Sequence, residues 1–277
     1  MTPDQYCQQK AAATGSTLYY SLLFLPRTQR RAITALYAFC REVENAVHET
    51  TDPGVARTKL AWWRTELGAV FEGRPQHPVA HALAPVVKQH GIARARLSEI
   101  IDGAQMDLDY NRYPDFPTLE VHCYRVAGVV GLLSAQILGY SDRATLDCAQ
   151  TLGTALRLTT IIGDVGKDAR RNHIYLPLDE LSRFGLSSDD IVALREDERF
   201  ERLMAYQIER ARSLYANALA RLPSADRRAQ RAGLVMAAIQ RALLEEIAAL
   251  RARTLNRKVL LTPLRKLWIA WKTWITA

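Results

Sequence analysis

Apolar residues in this chain recur at intervals of three and four and almost nowhere at intervals of two, so there is little from which a sheet could be built. The segment 27–50 is the clearest case: after Pro26 it carries Ile33, Leu36, Tyr37, Cys40, Val43 and Val47 along one side of a helix. The same spacing predicts helices over 54–72, 78–90, 93–109, 117–138, 142–168, 197–221 and 224–254, punctuated by Gly73-Arg-Pro, His90-Gly91 and Pro223. Within 117–138, the run Val126-Ala-Gly-Val-Val-Gly-Leu132 offers small residues on which a neighbouring helix can close. Ile174-Tyr-Leu-Pro177 ends the element that precedes it. No repeat, low-complexity stretch or linker interrupts the pattern, which predicts one all-α domain spanning 1–277.

With 277 residues, 48% of them hydrophobic, the chain can fill a sizeable core. Its net charge of +8 suits a phosphate-bearing ligand, nucleic acid or an anionic membrane surface. No nucleic-acid-binding motif accompanies the charge, so nucleic acid is set aside. Cys7, Cys40, Cys123 and Cys148 lack paired zinc spacing and are too few for a disulfide scaffold, which points to buried thiols and a cytoplasmic setting. The first residues lack a basic stretch followed by an apolar one, and no run of about 18 apolar residues occurs, so neither a secretory signal nor a spanning helix is expected. The segment 264–277 is basic and Trp-rich: Leu264-Arg-Lys-Leu-Trp-Ile-Ala-Trp-Lys-Thr-Trp274. It fits a helix peripheral to the inner membrane, lying in the interface, and equally a final helix whose tryptophans pack on the protein.

Two short polar segments break into apolar helices. Glu44-Asn-Ala-Val-His48-Glu49 follows Tyr37 and Arg41 on one helix, and Asp164-Val-Gly-Lys-Asp168 lies near the end of another. Residues three and four apart share a helix face, so each segment is either a solvated surface or a set of ligands for a divalent metal.

Around these segments the chain resembles the squalene/phytoene synthase family. The likeness rests on Tyr37-Ala-Phe-Cys-Arg-Glu-Val43, Tyr124-Arg-Val-Ala-Gly-Val-Val-Gly131, Leu158-Thr-Thr-Ile-Ile-Gly-Asp-Val-Gly-Lys-Asp-Ala-Arg-Arg171 and Ile174-Tyr-Leu-Pro-Leu-Asp-Glu-Leu181, with Leu23-Phe-Leu-Pro26 and the tail in support. Within the family it is most similar to the presqualene diphosphate synthases of hopanoid pathways. The resemblance implies an isoprenoid-synthase helical bundle around a central apolar cavity, and a head-to-head prenyltransferase condensing two farnesyl diphosphates to presqualene diphosphate or squalene. It implies Mg²⁺ held by Glu44, His48, Asp164 and Asp168, with Tyr37, Arg41 and His122 at the reacting centre. It also implies an isoprenoid diphosphate, or another apolar small molecule, held by Thr17, Leu18, Arg157, Thr160, Arg170, Arg171, Gln240 and Arg257.

The chain departs from the family pattern at the metal motifs. Where the family reads D-D-x-x-D-E, this chain has Glu44-Asn45-x-x-His48-Glu49; Arg157, Thr160, Gly163 and Lys167 replace Gln, Asn, Arg and Glu of the second motif. The two motifs together carry a charge of about −2 instead of about −6, counting His48 as neutral. His122 and Gln240 stand where aromatic residues are expected, as does Leu18, while His173 takes a commonly basic place. His48 and His122 with Glu44 and Asp164 or Asp168 would form a mixed nitrogen/oxygen site for Zn²⁺ or Mn²⁺; alternatively each imidazole fills space. Likewise, His122 is a candidate base paired with Glu44, Thr17 a phosphate hydroxyl or a helix cap, and Arg170 and Arg171 a diphosphate clamp or partners of nearby acids. These departures leave an alternative function, a non-catalytic binder of an apolar ligand, natural or engineered, on the same scaffold.

Overall fold

Capping chemistry sets most helix boundaries in the computed structural model, which describes all 277 residues. In chain order they are α1 (Pro3–Ala11), α2 (Thr17–Leu22), α3 (Arg27–His48), α4 (Pro53–Glu72), α5 (Pro78–His90), α6 (Arg94–Asp109), α7 (Phe116–Cys123), α8 (Val129–Leu138), α9 (Ala144–Ala169), α10 (Leu178–Arg183), α11 (Ser188–Val192), α12 (Glu198–Arg221), α13 (Arg231–Ala249) and α14 (Pro263–Thr276). The start of α4 is typical: the Asp52 carboxylate accepts from the amide of Gly54 at 2.7 Å, and Pro53 needs no donor there. At its end Gly73 takes a left-handed φ of 76°, which stops the helix. No strand forms; Arg112 and Ile174 make an isolated parallel bridge.

The predicted helices recur within a few residues, with one exception. The segment after Pro223 forms a 3₁₀ turn, Ser224–Asp226, and α13 begins only at Arg231. Asp226 is the cause. Its buried carboxylate accepts from Ser141 N at 2.8 Å, Ser141 Oγ at 2.6 Å, Asp142 N at 3.0 Å and Thr145 Oγ1 at 2.6 Å, which ties this turn to the start of α9.

The small-residue run sits at the tightest crossing. A Cβ on Gly131 would lie 2.2 Å from the carbonyl oxygen of Ala149, and one on Gly153 would lie 2.2 Å from that of Ala127. Backbone therefore meets backbone where α8 crosses α9. Between α7 and α8 the helix widens into a π turn, Tyr124–Gly128, against which Gly103 of α6 packs. Within the 23-residue stretch Phe116–Leu138 an 18-residue window has a mean hydropathy of 1.4, so by length and composition alone it could cross a membrane. It is 56% buried in the bundle, packed on α6 and α9, as a core helix would be.

Two apolar cores result. One joins α3, α4, α5, α6 and α8; the other is built on α9, α12 and α13. The long helices α3, from the first core, and α9, from the second, bring their C-terminal turns to the same end of the bundle, and with them both polar segments. Tyr37 on α3, Arg157 and Thr160 on α9, and Met236 and Gln240 on α13 are each half-buried.

Candidate functional site

A carboxylate that drew no attention in the sequence organises this end of the molecule. Asp107 lies three and four residues after Ala104 and Gly103, on the face of α6 that packs inward, and only 6% of its side chain is exposed. Tyr113 Oη donates to its Oδ1 at 3.2 Å. His122 Nδ1 stands 3.6 Å and His173 Nε2 3.8 Å from that same oxygen, while His48 Nε2 stands 3.4 Å from Oδ2. A charged residue on an apolar face was the available signal, and it went unread because the family motifs lie elsewhere.

The protonation pattern follows from donors and acceptors. Arg157 can only donate, and its Nη2 is 3.2 Å from His122 Nε2, so that nitrogen accepts and Nδ1 carries the proton toward Asp107. Burial pushes His122 down to about 4, and His173 also to about 4, so both are neutral at pH 7. Burial alone would raise Asp107, but His122, His48, Arg157 and His173 together hold it well below the usual carboxylate range. The Arg157 guanidinium lies over the Tyr175 ring at 4.9 Å. The enduring charges are thus Asp107 and Arg157, a buried pair joined through one imidazole.

The two polar segments face this cluster with two of their four carboxylates matched. Glu44 accepts from Arg41 at 3.0 Å, and Asp164 pairs with Lys167 at 3.5 Å. Burial raises Asp168 to about 6, against the pull of Arg157. A set of Mg²⁺ ions needs several unpaired hard oxygen ligands, and only Glu49 and Asp168 remain without an ion-pair partner here. No group of three or more His, Cys, Asp or Glu side chains is disposed to hold a metal ion. The mixed site of His48 and His122 with Glu44 and Asp164 or Asp168 does not form either, since both imidazoles turn to Asp107. For the same reason His122 is no base paired with Glu44.

Other expected ligand residues fall into place unevenly. Tyr37 Oη donates to Met236 Sδ at 3.5 Å, and burial pushes its phenol up. The Gln240 Oε1 is buried without a partner. Thr160 Oγ1 donates to the Leu156 carbonyl at 3.1 Å, so its hydroxyl is spent on its own helix. Ser16, rather than Thr17, caps α2, leaving Thr17 half-buried in the first turn. Leu18 packs into the first core. Arg170 is not free to clamp: it donates to the Gly166 carbonyl at 2.9 Å and to that of Leu255 at 3.1 Å, fastening the following loop to α9. Arg257 is exposed on that loop, and Arg171 is exposed beyond α9; neither pairs with an acid.

A small cavity of about 10 Å³, room for roughly one water, lies beside Asp168 and His173, lined by Ile161, Val165, Ile174 and Tyr175. Comparison with known proteins places this architecture. The family profile of squalene/phytoene synthase matches residues 11–265. The chain belongs to that family. The phytoene synthase of Arthrospira platensis is 36% identical over 227 residues, covering 76% of this chain and 74% of that protein. The 15-cis-phytoene synthase of Synechocystis is 31% identical over 99% of this chain and 85% of its own length. Among solved structures, a dehydrosqualene synthase superposes with a TM-score of 0.87 at 24% identity, over 98% of this chain and 95% of that one. A squalene synthase from Alicyclobacillus acidocaldarius gives 0.79 at 24% identity, over 90% and 94%. At those identities the structures establish the fold: the squalene/phytoene synthase family is one of head-to-head prenyltransferases acting on isoprenoid diphosphates, and this chain has its bundle.

Proposed function

We propose that this family member binds an isoprenoid diphosphate, with farnesyl diphosphate as the reference ligand, and holds it without the metal-driven ionisation that would start condensation. Arg157 carries the reading. Its buried guanidinium lies between the two motif faces, close enough that the charges of Glu44 and Asp168 act on it and are acted on by it. A fixed cation there supplies part of the charge that Mg²⁺ would otherwise bring, and the paired Glu44 and Asp164 leave little to attract the ions themselves. The prenyl chain runs along the half-buried Tyr37, Met236 and Gln240, of which Tyr37 and Met236 are in contact at 3.5 Å. The protein works in the cytoplasm with this small molecule as its partner.

A second reading keeps the activity: condensation to presqualene diphosphate or squalene, with Mg²⁺ or Mn²⁺ held by Asp164 and Asp168. Retention of those two aspartates with Tyr37 and Arg41 favours it. Calorimetric titration with farnesyl diphosphate in EDTA, repeated with Mg²⁺, separates the two. The proposal expects binding in EDTA within about threefold of that in Mg²⁺. Binding that requires the metal would overturn it.

A further inference from the structure

The last helix presents two apolar faces, and only one of them has a partner. On the inner side Ala270 is fully buried, Trp274 packs against Phe24 with ring centroids 5.6 Å apart, and Ile269 joins Val235 and Ile239 of α13. On the outer side Leu264, Leu267, Trp268, Trp271 and Ile275 follow one another at helical spacing, with exposures from 40% at Leu267 to 80% at Leu264. The Trp268 and Trp271 rings lie 5.2 Å apart. Leu260, 66% exposed, extends the patch into the preceding loop.

The helix is held in this pose. Thr262 caps it, Lys266 Nζ donates to the Gly15 carbonyl at 3.1 Å, and Arg265 pairs with Glu246. The segment itself is one-signed: residues 247–277 contain seven Lys or Arg and no Asp or Glu. Glu246 reaches it at Arg265 and Glu196 at the amides of Leu255 and Asn256, while Arg257, Lys258 and Lys272 are exposed and without an acidic partner. A second copy of the chain would meet like charge with like, whereas a negatively charged surface with an apolar interior matches both features at once.

We propose that the outer face of α14 docks the protein on an anionic lipid bilayer. Trp268, Trp271, Leu264, Leu267 and Ile275 enter the acyl boundary, and Arg257, Lys258 and Lys272 meet the headgroups. Of the three tail tryptophans only two insert, because Trp274 is already committed to Phe24. Val235 and Ile239 of α13 take the inner face of α14. The docking stands without the isoprenoid reading.

The test uses the intact protein, co-sedimented with vesicles of phosphatidylcholine alone or enriched in phosphatidylglycerol. Binding is expected to the enriched vesicles only and to weaken with salt. Trp268→Ser with Trp271→Ser is expected to weaken it about tenfold or more, with helix content by circular dichroism unchanged. Trp62→Ser, at an exposed tryptophan on α4, leaves binding unchanged. Equal binding by the double variant, or no sedimentation with either vesicle, would overturn the proposal. So would a dimer lost in the double variant, which would assign the face to a second copy, or salt-sensitive binding to duplex DNA in place of vesicles.

Discussion

Arg157 and His122 test the account at the scale of single residues. Arg157→Gln removes the fixed cation and leaves His122 Nε2 without its donor. Charge-assisted contacts are among the stronger ones, so farnesyl diphosphate affinity in EDTA should fall by about tenfold or more, read by calorimetry. His122 also sets a pH dependence. Burial lowers His122 and His173 to about 4 from their ordinary 6.5, so the unfolded chain binds those protons more readily than the folded one. Their contribution is fully present above about 6.5 and is lost as pH falls toward 4. Asp168, raised to about 6, works in the opposite sense: the folded state gains as that carboxyl protonates, offsetting one of the two imidazoles. His122→Tyr removes one buried imidazole. Urea unfolding of that variant should show a shallower loss of stability between pH 6.5 and 4 than the parent, and an unchanged slope would show that His122 does not titrate as described.

At the scale of helices, most of the bundle could be read from apolar spacing, because long helices repeat their signal over many turns. What escaped was short or locally overruled. The five- and six-residue helices α2, α10 and α11 have too few turns to show a period. The start of α13 was missed because the Asp226 carboxylate holds 224–230 as a turn against α9, a demand set by tertiary contacts. The small-residue run was legible, and its consequence is measurable. Gly153→Ala places a methyl group against the Ala127 carbonyl in a contact between two backbones, where neither side can turn away. It should cost about 3 kcal/mol by chemical denaturation, against little or no loss for Gly233→Ala on α13, where nothing lies near. Equal effects at the two positions would mean that the α8–α9 crossing is looser than drawn.

Over the whole molecule, the sequence showed which polar segments come together better than how they are wired. Asp164, Asp168, Glu44, His48 and Arg157 do converge, since motifs on two long helices must meet wherever those helices meet. The wiring depends on partners far away in the chain. Asp107, His122 and His173 come from three separate segments and meet only through tertiary packing, so their spacing carried no motif. Arg170 looked like a clamp until the loop around Leu255 claimed its donors. Together these contacts leave a region in which Glu44 and Asp164 are paired within the protein and Arg157 adds a buried cation, which favours binding over metal-driven ionisation.

Pyrophosphate release from farnesyl diphosphate in the presence of Mg²⁺ tests that claim most directly, with the native chain run beside a revertant. The revertant carries Glu44→Asp, Asn45→Asp, His48→Asp, Arg157→Gln, Thr160→Asn, Gly163→Arg and Lys167→Glu, restoring the family pattern in both motifs. The account predicts no release above the blank from the native chain and measurable turnover from the revertant. Sustained release by the native chain would contradict it.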